Sequence, residues 1–499
     1  MNLSKRTTEY IIVGVLLILS AGLILPNLGN IYLWGDEAQT ALIAKTVLSH
    51  GVPVAYDGKN YFSQIGGRDL GKNYISKWLP WLQFYVLAGF FAAFGASTFT
   101  ARLPFALFGI ATIILTYYFA KAFWRNRRAG VLSAIVLLAS VPFLLLTRQC
   151  RYYSLDAFFS LLGLYGYYGI LEQRKRSGLI FTLSAILLFH SQFVHCAALL
   201  ATVITHALLF QRKTLKPVLI LSGIVIVASA PWVIWFSSLG REVTTFSSFA
   251  TRATVFTKFM VTQTFKHIFP PLILVLPVVL FVADLVRHKR RPAESYMKRN
   301  LALLTLFAIF TIAAVSFAMP TTFFRYLAPL IPVACIIIGS IVESGMKVHP
   351  AVGVVMIGLL AWWWRMPDYL YEITHDYDGP TEGIVQYLND HASSSDIVVA
   401  NHDDMALKFY TGLRIVSTTT GEDLTPAKRA DWVIMRKWAD TTELNGHRYL
   451  VHNVPWNMYE RLVLPYPDTD RENREDPEEH HFRTVENARP VTIYHRIGE

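Results

Sequence analysis

Residues 9–38 read EYIIVGVLLILSAGLILPNLGNIYLWGDEA, an apolar run from Tyr10 to about Leu25 followed closely by Trp34-Gly35-Asp36-Glu37-Ala38. An uncharged run of this kind approaches the roughly 20 residues a helix needs to cross a bilayer. Lys5 and Arg6 precede it. A cleaved signal peptide shares those parts, but the run is long for its apolar region and no small-x-small cleavage site follows. The segment 10–29 therefore reads as a first span, and the acid pair as the start of the loop that leaves it.

The rest of the chain repeats the pattern. Further apolar runs fall near 78–95, 103–124, 129–147, 153–171, 178–190, 191–210, 217–236, 268–286, 300–318, 326–342 and 350–365. Over 499 residues the chain is 53% hydrophobic and only 16% charged, whereas a soluble enzyme carries a charged share nearer about a quarter. The net charge of +11 comes from short basic clusters between runs, which set topology and favour anionic lipid; nucleic acid is not an expected partner. Cys150, Cys196 and Cys335 lie in or beside apolar segments without ligand spacing and read as buried small side chains.

The clusters are Arg125/Arg127/Arg128, Arg174/Lys175/Arg176, Arg212/Lys213/Lys216 and Arg287 through Arg299. If every run spans, the first cluster lies on the other side of the membrane from the rest. Treating 78–95, which contains Pro80, Gln83 and Gly89, as re-entrant or interfacial puts all four on one side. The expected fold is a polytopic α-helical membrane protein of about 11 spans, N-terminus cytoplasmic. A transmembrane domain over 1–366, with an external loop 30–102, precedes a small external α/β domain over 367–499.

In that second domain SDIVVAN, LRIVS, ADWVIM and RPVTIYHRI read as strands, and TEGIVQYLNDH and DDMALKFYTG as helices. PDTDRENREDPEEHH reads as a charged surface loop, and His402, Asp403 and Asp404 as a solvated helix start. There is no internal repeat.

Three constellations share the external face. Asp36 and Glu37 are adjacent carboxylates at an interface, which are costly unless hydrated, paired or metal-bound. Their spacing alone fits solvated loop residues equally well. Arg148, Arg151 and Asp156 lie in the turn between two spans; arginine suits phosphate, and a helix-stapling ion pair is the plainer alternative. Phe323-Phe324-Arg325-Tyr326-Leu327-Ala328-Pro329 with Pro332 puts an arginine at the mouth of a span, where it could equally snorkel. His190, His195 and His267 stand at span ends. Trp362, Trp363 and Trp364 read as an aromatic belt.

A first span followed by an Asp-Glu pair resembles the GT-C glycosyltransferases, nearest the protein O-mannosyltransferases and the lipid A aminoarabinose transferase. Lys77 before an aromatic segment, Ala101-Arg102-Leu103-Pro104, the Arg151…Asp156 pair and Arg325-Tyr326-Leu327 extend the likeness to about residue 345. One departure is Lys77-Trp78-Leu79-Pro80, where relatives often have Lys-Pro-Pro.

The resemblance implies an inverting transfer from a polyprenyl-phosphate-linked sugar to a glycan, lipid or protein acceptor, outside a bacterial-type inner membrane. It implies Asp36 as general base, with Glu37 and Asp156 in the catalytic group. Arg148, Arg151, Arg325, Tyr326 and Lys77 would stand around the donor phosphate, and Asp156 would orient Arg151 or help hold a divalent ion. Glu37 and His267 are the metal-ligand candidates, with metal dependence left open. Two other classes fit a membrane composition: a flippase for a lipid-linked saccharide, and a membrane-anchored envelope-assembly protein. Transport needs ionisable residues near mid-bilayer, and the span centres are nearly free of them.

Overall fold

Apolar segments in a bilayer must satisfy every backbone group internally, so the long runs fold as helices. The computed structural model describes residues 5–238, 247–271, 275, 295–377, 379–436, 445–469, 477–485 and 488–497. The helices up to the mid-chain are α1 (Lys5–Ile24), α2 (Gly35–His50), α3 (Leu82–Phe94), α4 (Thr98–Phe123), α5 (Arg127–Ala139) and α6 (Val141–Thr147). They continue with α7 (Tyr153–Leu171), α8 (Ser177–Ser191), α9 (Phe193–Phe210) and α10 (Arg212–Ser238). Short helical segments, two of them π turns, run from Phe249 to Ile268. Then come α11 (Ser295–Ala318), α12 (Leu330–Val348), α13 (Pro350–Trp363) and α14 (Met366–Glu372).

Among the described residues, α1, α4, α9, α10, α11 and α12 are long and apolar enough to cross a bilayer. The expected run 129–147 is broken: α5 and α6 meet at 69°, with Ser140 between them and Pro142 in the first turn of α6. Taken as one span they make a seventh. Run 78–95 yields only the 13 residues of α3. Most of run 268–286 lies outside the described residues.

Close helix contacts rest on missing side chains. A Cβ at Gly339 of α12 would come within 2.5 Å of the Ser133 backbone on α5, and one at Gly166 of α7 within 2.7 Å of Phe181 N on α8. The expected domain boundary at residue 366 falls at the start of α14, which packs on the bundle; its Tyr369 hydroxyl donates to the Leu23 carbonyl at 2.6 Å.

The C-terminal domain adds α15 (Pro380–His391), α16 (Asp404–Thr411) and α17 (Asn445–Asn453). Its strands are β1 (Ile397–Ala400), β2 (Arg414–Ser417), β3 (Trp432–Ile434), β4 (Tyr459–Pro467) and β5 (Pro490–Arg496). The sheet order is β2-β1-β3-β5-β4, parallel from β2 to β3 and antiparallel beyond. Val398 and Ile415 face Ile384 and Leu407 of α15 and α16, while Val399 and Val433 face Leu450 of α17. The charged stretch 467–481 is not all surface: His480 is buried and bonded to Glu372 of α14, whose carboxylate holds it there.

Several hydrogen bonds seat this domain on the segment after α1. Tyr32 N–H donates to Glu382 at 2.5 Å and Leu33 N–H to the Tyr410 hydroxyl at 2.9 Å. Asn60 donates to the Leu413 carbonyl and Lys408 to the Tyr61 carbonyl, each at 2.9 Å. Met405 and Phe409 of α16 complete the join by entering the bundle's apolar core.

Candidate active site

The loop expected at residue 30 folds into α2 almost at once, and this separates the two acids. Asp36 and Glu37 sit in its first turn, where carboxylates oppose the positive end of the helix dipole. Successive helical residues differ in direction by about 100°. Glu37 therefore turns into the protein, while Asp36 borders a cavity.

Glu37 is fully buried. Arg102 of α4 holds it bidentately, Nε to Oε1 at 2.9 Å and Nη2 to Oε2 at 2.7 Å, and the Cys150 N–H adds a third bond at 2.7 Å. The remaining Arg102 donors reach the carbonyls of Leu28, Ile31 and Tyr32. Glu37 is thus a structural clamp rather than the catalytic or metal-binding group expected of it. Arg148 is committed in the same way: it donates to the carbonyls of Ile24, Pro26 and Asn27, closing the end of α1. That use corrects its assignment to phosphate.

Asp36 lines the cavity and meets two of the expected cations. Arg325 Nη1 stands 2.9 Å and Arg151 Nη2 3.4 Å from Oδ2, and Gln64 donates to Oδ1 at 3.3 Å. Arg151 also reaches the Asp36 carbonyl and the Thr40 hydroxyl, and its buried Nε has no hydrogen-bond partner among the described residues. Arg325 lies 4.1 Å over the Phe323 ring. The sequence thus names one acid and two cations that do converge, although Arg151 and Arg325 lie 115 and 289 positions away.

Asp156 does not orient Arg151. It is buried between the Ser191 hydroxyl at 2.5 Å and His195 Nδ1 at 2.9 Å, and His195 Nε2 is 3.0 Å from the Tyr326 carbonyl. Because that nitrogen faces a carbonyl, it is the donor, and the chain Ser191–Asp156–His195 fixes the backbone beside Arg325. Tyr326 enters the site through this carbonyl, with its ring buried against Phe323 at 5.9 Å. No role for His195 was legible in the sequence because its partners are distant; its place at a span end was the one signal.

Lys77 is half-buried and outside the cavity lining. Its N–H donates to the Asp69 carbonyl, and Asp69 connects through Gln39 and Gln64 toward Asp36. Burial raises the Asp69 carboxyl above its usual range. His267 lines a separate cavity of about 630 Å³ with Trp362, Trp363 and Trp364, and it does not meet Glu37. Among the described residues no three His, Cys, Asp or Glu side chains gather as a metal site. The donors also do not fit one: Glu37 is occupied by Arg102, and two guanidiniums flank Asp36, where a divalent cation would be repelled.

The cavity beside Asp36 measures about 200 Å³ and is built from both domains. Trp34, Gln64, Phe323 and Arg325 line one side, Glu382, His402 and Asp403 the other. The expected solvated cluster is therefore a wall of the site. His402 Nδ1 stands 2.8 Å from Asp403, Asp403 pairs with Arg436, and Asp404 is buried on Lys408 at 2.6 Å.

Residues 79–235 match the family described as dolichyl-phosphate-mannose-protein mannosyltransferase. No curated protein is similar in sequence. Among solved structures, ArnT from Cupriavidus metallidurans bound to undecaprenyl phosphate superposes with a TM-score of 0.62 at 15% identity, covering 98% of both chains. The archaeal oligosaccharyltransferase AglB from Archaeoglobus fulgidus, in complex with an inhibitory peptide and a dolichol-phosphate, gives 0.52 at 10% identity. That match covers 93% of this chain and 75% of AglB.

Proposed function

We propose that this chain, a GT-C glycosyltransferase by its fold and by the family match over residues 79–235, moves a sugar from a polyprenyl-phosphate carrier to an acceptor bound between bundle and C-terminal domain. The reaction takes place on the external face of a bacterial-type inner membrane. The observation that carries this reading is Asp36, clasped by Arg151 and Arg325 at the edge of a cavity walled by both domains.

In this reading Asp36 accepts the proton of an acceptor hydroxyl or amine as its heteroatom bonds to the anomeric carbon. The anomeric carbon–oxygen bond breaks on the opposite side, with inversion, and the carrier departs with that electron pair as a phosphate monoester. Such a leaving group needs cations more than an acid, and Arg325 and Arg151 supply fixed guanidinium donors where the charge develops. No step passes through a metal. An acceptor with several hydroxyl or amine groups suits the carboxyl groups of the opposite wall, Glu382 and Asp403.

Asp36→Asn removes the base and little volume. Transfer from a labelled polyprenyl-phosphate-sugar pool should fall by about 10²–10⁴-fold while carrier lipid still binds. Unimpaired turnover in that variant would remove Asp36 from the chemistry. Mass spectrometry of envelope glycolipids and glycoproteins, with and without the protein, identifies the acceptor.

A further inference from the structure

The end of the bundle away from Asp36 holds a further cavity, of about 340 Å³, that the transfer reaction does not use. Helix α4 fixes the separation. Its first residue, Thr98, bonds Tyr410 of the C-terminal domain, and its 26 residues rise roughly 39 Å before α5 begins. Arg127 and Arg128 open α5 there, and Lys347 stands in the last turn of α12.

These three cations line the cavity with Val131, Leu132, Glu343, Met346 and Pro350. Glu343 is matched by Lys347 at 2.8 Å. Arg127 and Arg128 are exposed, and neither guanidinium has an ion-pair partner within 4 Å among the described residues. The amides of Arg128 and Ala129 are capped by the Asn126 side chain, so any anion here is held by side chains and not by the helix end.

We propose that this cavity binds the phosphodiester headgroup of an anionic lipid in the leaflet opposite the catalytic cavity. Two exposed guanidiniums, neither in an ion pair within 4 Å among the described residues, offer planar donor forks to one phosphate. Val131, Leu132, Met346 and Pro350 give an apolar floor suited to the glycerol and upper acyl carbons, which a free phosphate would leave exposed to water. The cavity stands at the last turn of α12 and the first turns of α5 and α13, the end of the bundle where a lipid headgroup would meet it.

The test uses the full chain in detergent, with native mass spectrometry after mixing with phosphatidylglycerol or phosphatidylcholine. Arg127→Gln with Arg128→Gln removes the charge, and Val131→Trp fills the floor while leaving it. Each should reduce retained phosphatidylglycerol at least about tenfold. Lys213→Gln with Lys216→Gln, at the same end of the bundle but away from the cavity, should leave it unchanged. Equal loss in that control, or full retention by Val131→Trp, would mean general surface charge and overturn the site. So would inorganic phosphate alone displacing the lipid at millimolar concentration, since the ligand would then be a soluble phosphate. If the double arginine variant unfolds, the Val131→Trp arm decides alone.

Discussion

Glu37 and Asp36 are neighbours whose substitution should read out in different measurements. Glu37→Gln leaves Arg102 buried with half its partner gone, and breaking such a pair costs about 3–5 kcal/mol. Thermal unfolding in detergent should show that loss; a variant that unfolds like the wild type would contradict the clamp. His195 acts at one remove, through the Tyr326 carbonyl that sets the backbone next to Arg325. His195→Leu should lower kcat/KM for the donor by roughly 10²-fold, the cost of a small misplacement at a reacting centre. His195→Gln keeps an N–H for that carbonyl and should recover part of it. Equal losses in the two variants, or a change in stability alone, would exclude a positioning role. Asp36 was legible because an acid pair beside a first span is unusual. Its partners Arg151 and Arg325 were grouped with it by the shared face and the family resemblance, not by spacing, because nothing local to residues 36, 151 and 325 records that the bundle joins them. The reverse holds for Glu37 and Arg148: their chemistry suited catalysis and phosphate, and only the geometry shows them spent on Arg102 and on the carbonyls ending α1.

At the scale of elements, six of the expected spans stand among the described residues as helices of bilayer length, and they were readable because a bilayer demands a minimum length of uncharged helix. Helix α2 was not, since Gly35–His50 has neither that length nor a one-sided apolar stripe; protein covers it on several sides, and Glu37, Thr40 and Thr46 are buried with its alanines. Strand β4 escaped for a related reason. It is an edge strand with few buried positions and two prolines, so it lacks the short continuous buried run found in β1, β2, β3 and β5. The packing of α5 on α12 is the element contact most exposed to a single change. Gly339→Ala puts a methyl against the Ser133 backbone, where no flexible side-chain end can yield. It should cost about 1–3 kcal/mol in unfolding experiments. Because α12 begins just beyond Arg325, turnover should fall along with stability. Loss of neither would show that the helices shift apart without strain.

For the whole molecule, the decisive joint is between the bundle and the C-terminal domain, since the Asp36 cavity exists only while both are seated. Glu382 belongs to that joint: one oxygen accepts the Tyr32 N–H and the residue lines the cavity. Burial pushes its carboxyl above the ordinary value of 4.5, and Asp403 adds to the rise, while Tyr32 and Arg102 oppose it. The seated state therefore keeps its proton to higher pH than the unfolded chain. Glu382's contribution to stability is full below about 4.5 and is lost as pH climbs through the raised value. Glu382→Gln still accepts from Tyr32 and cannot ionise. Its unfolding temperature should thus gain on the wild type as pH rises from about 4 toward neutrality, narrowing a deficit or opening a surplus. Parallel curves would mean that Glu382 ionises as freely in the seated domain as in water, and that the cavity wall carries a full negative charge opposite Asp36. In that case the acceptor must neutralise it, and amines would be favoured over hydroxyls at the same site.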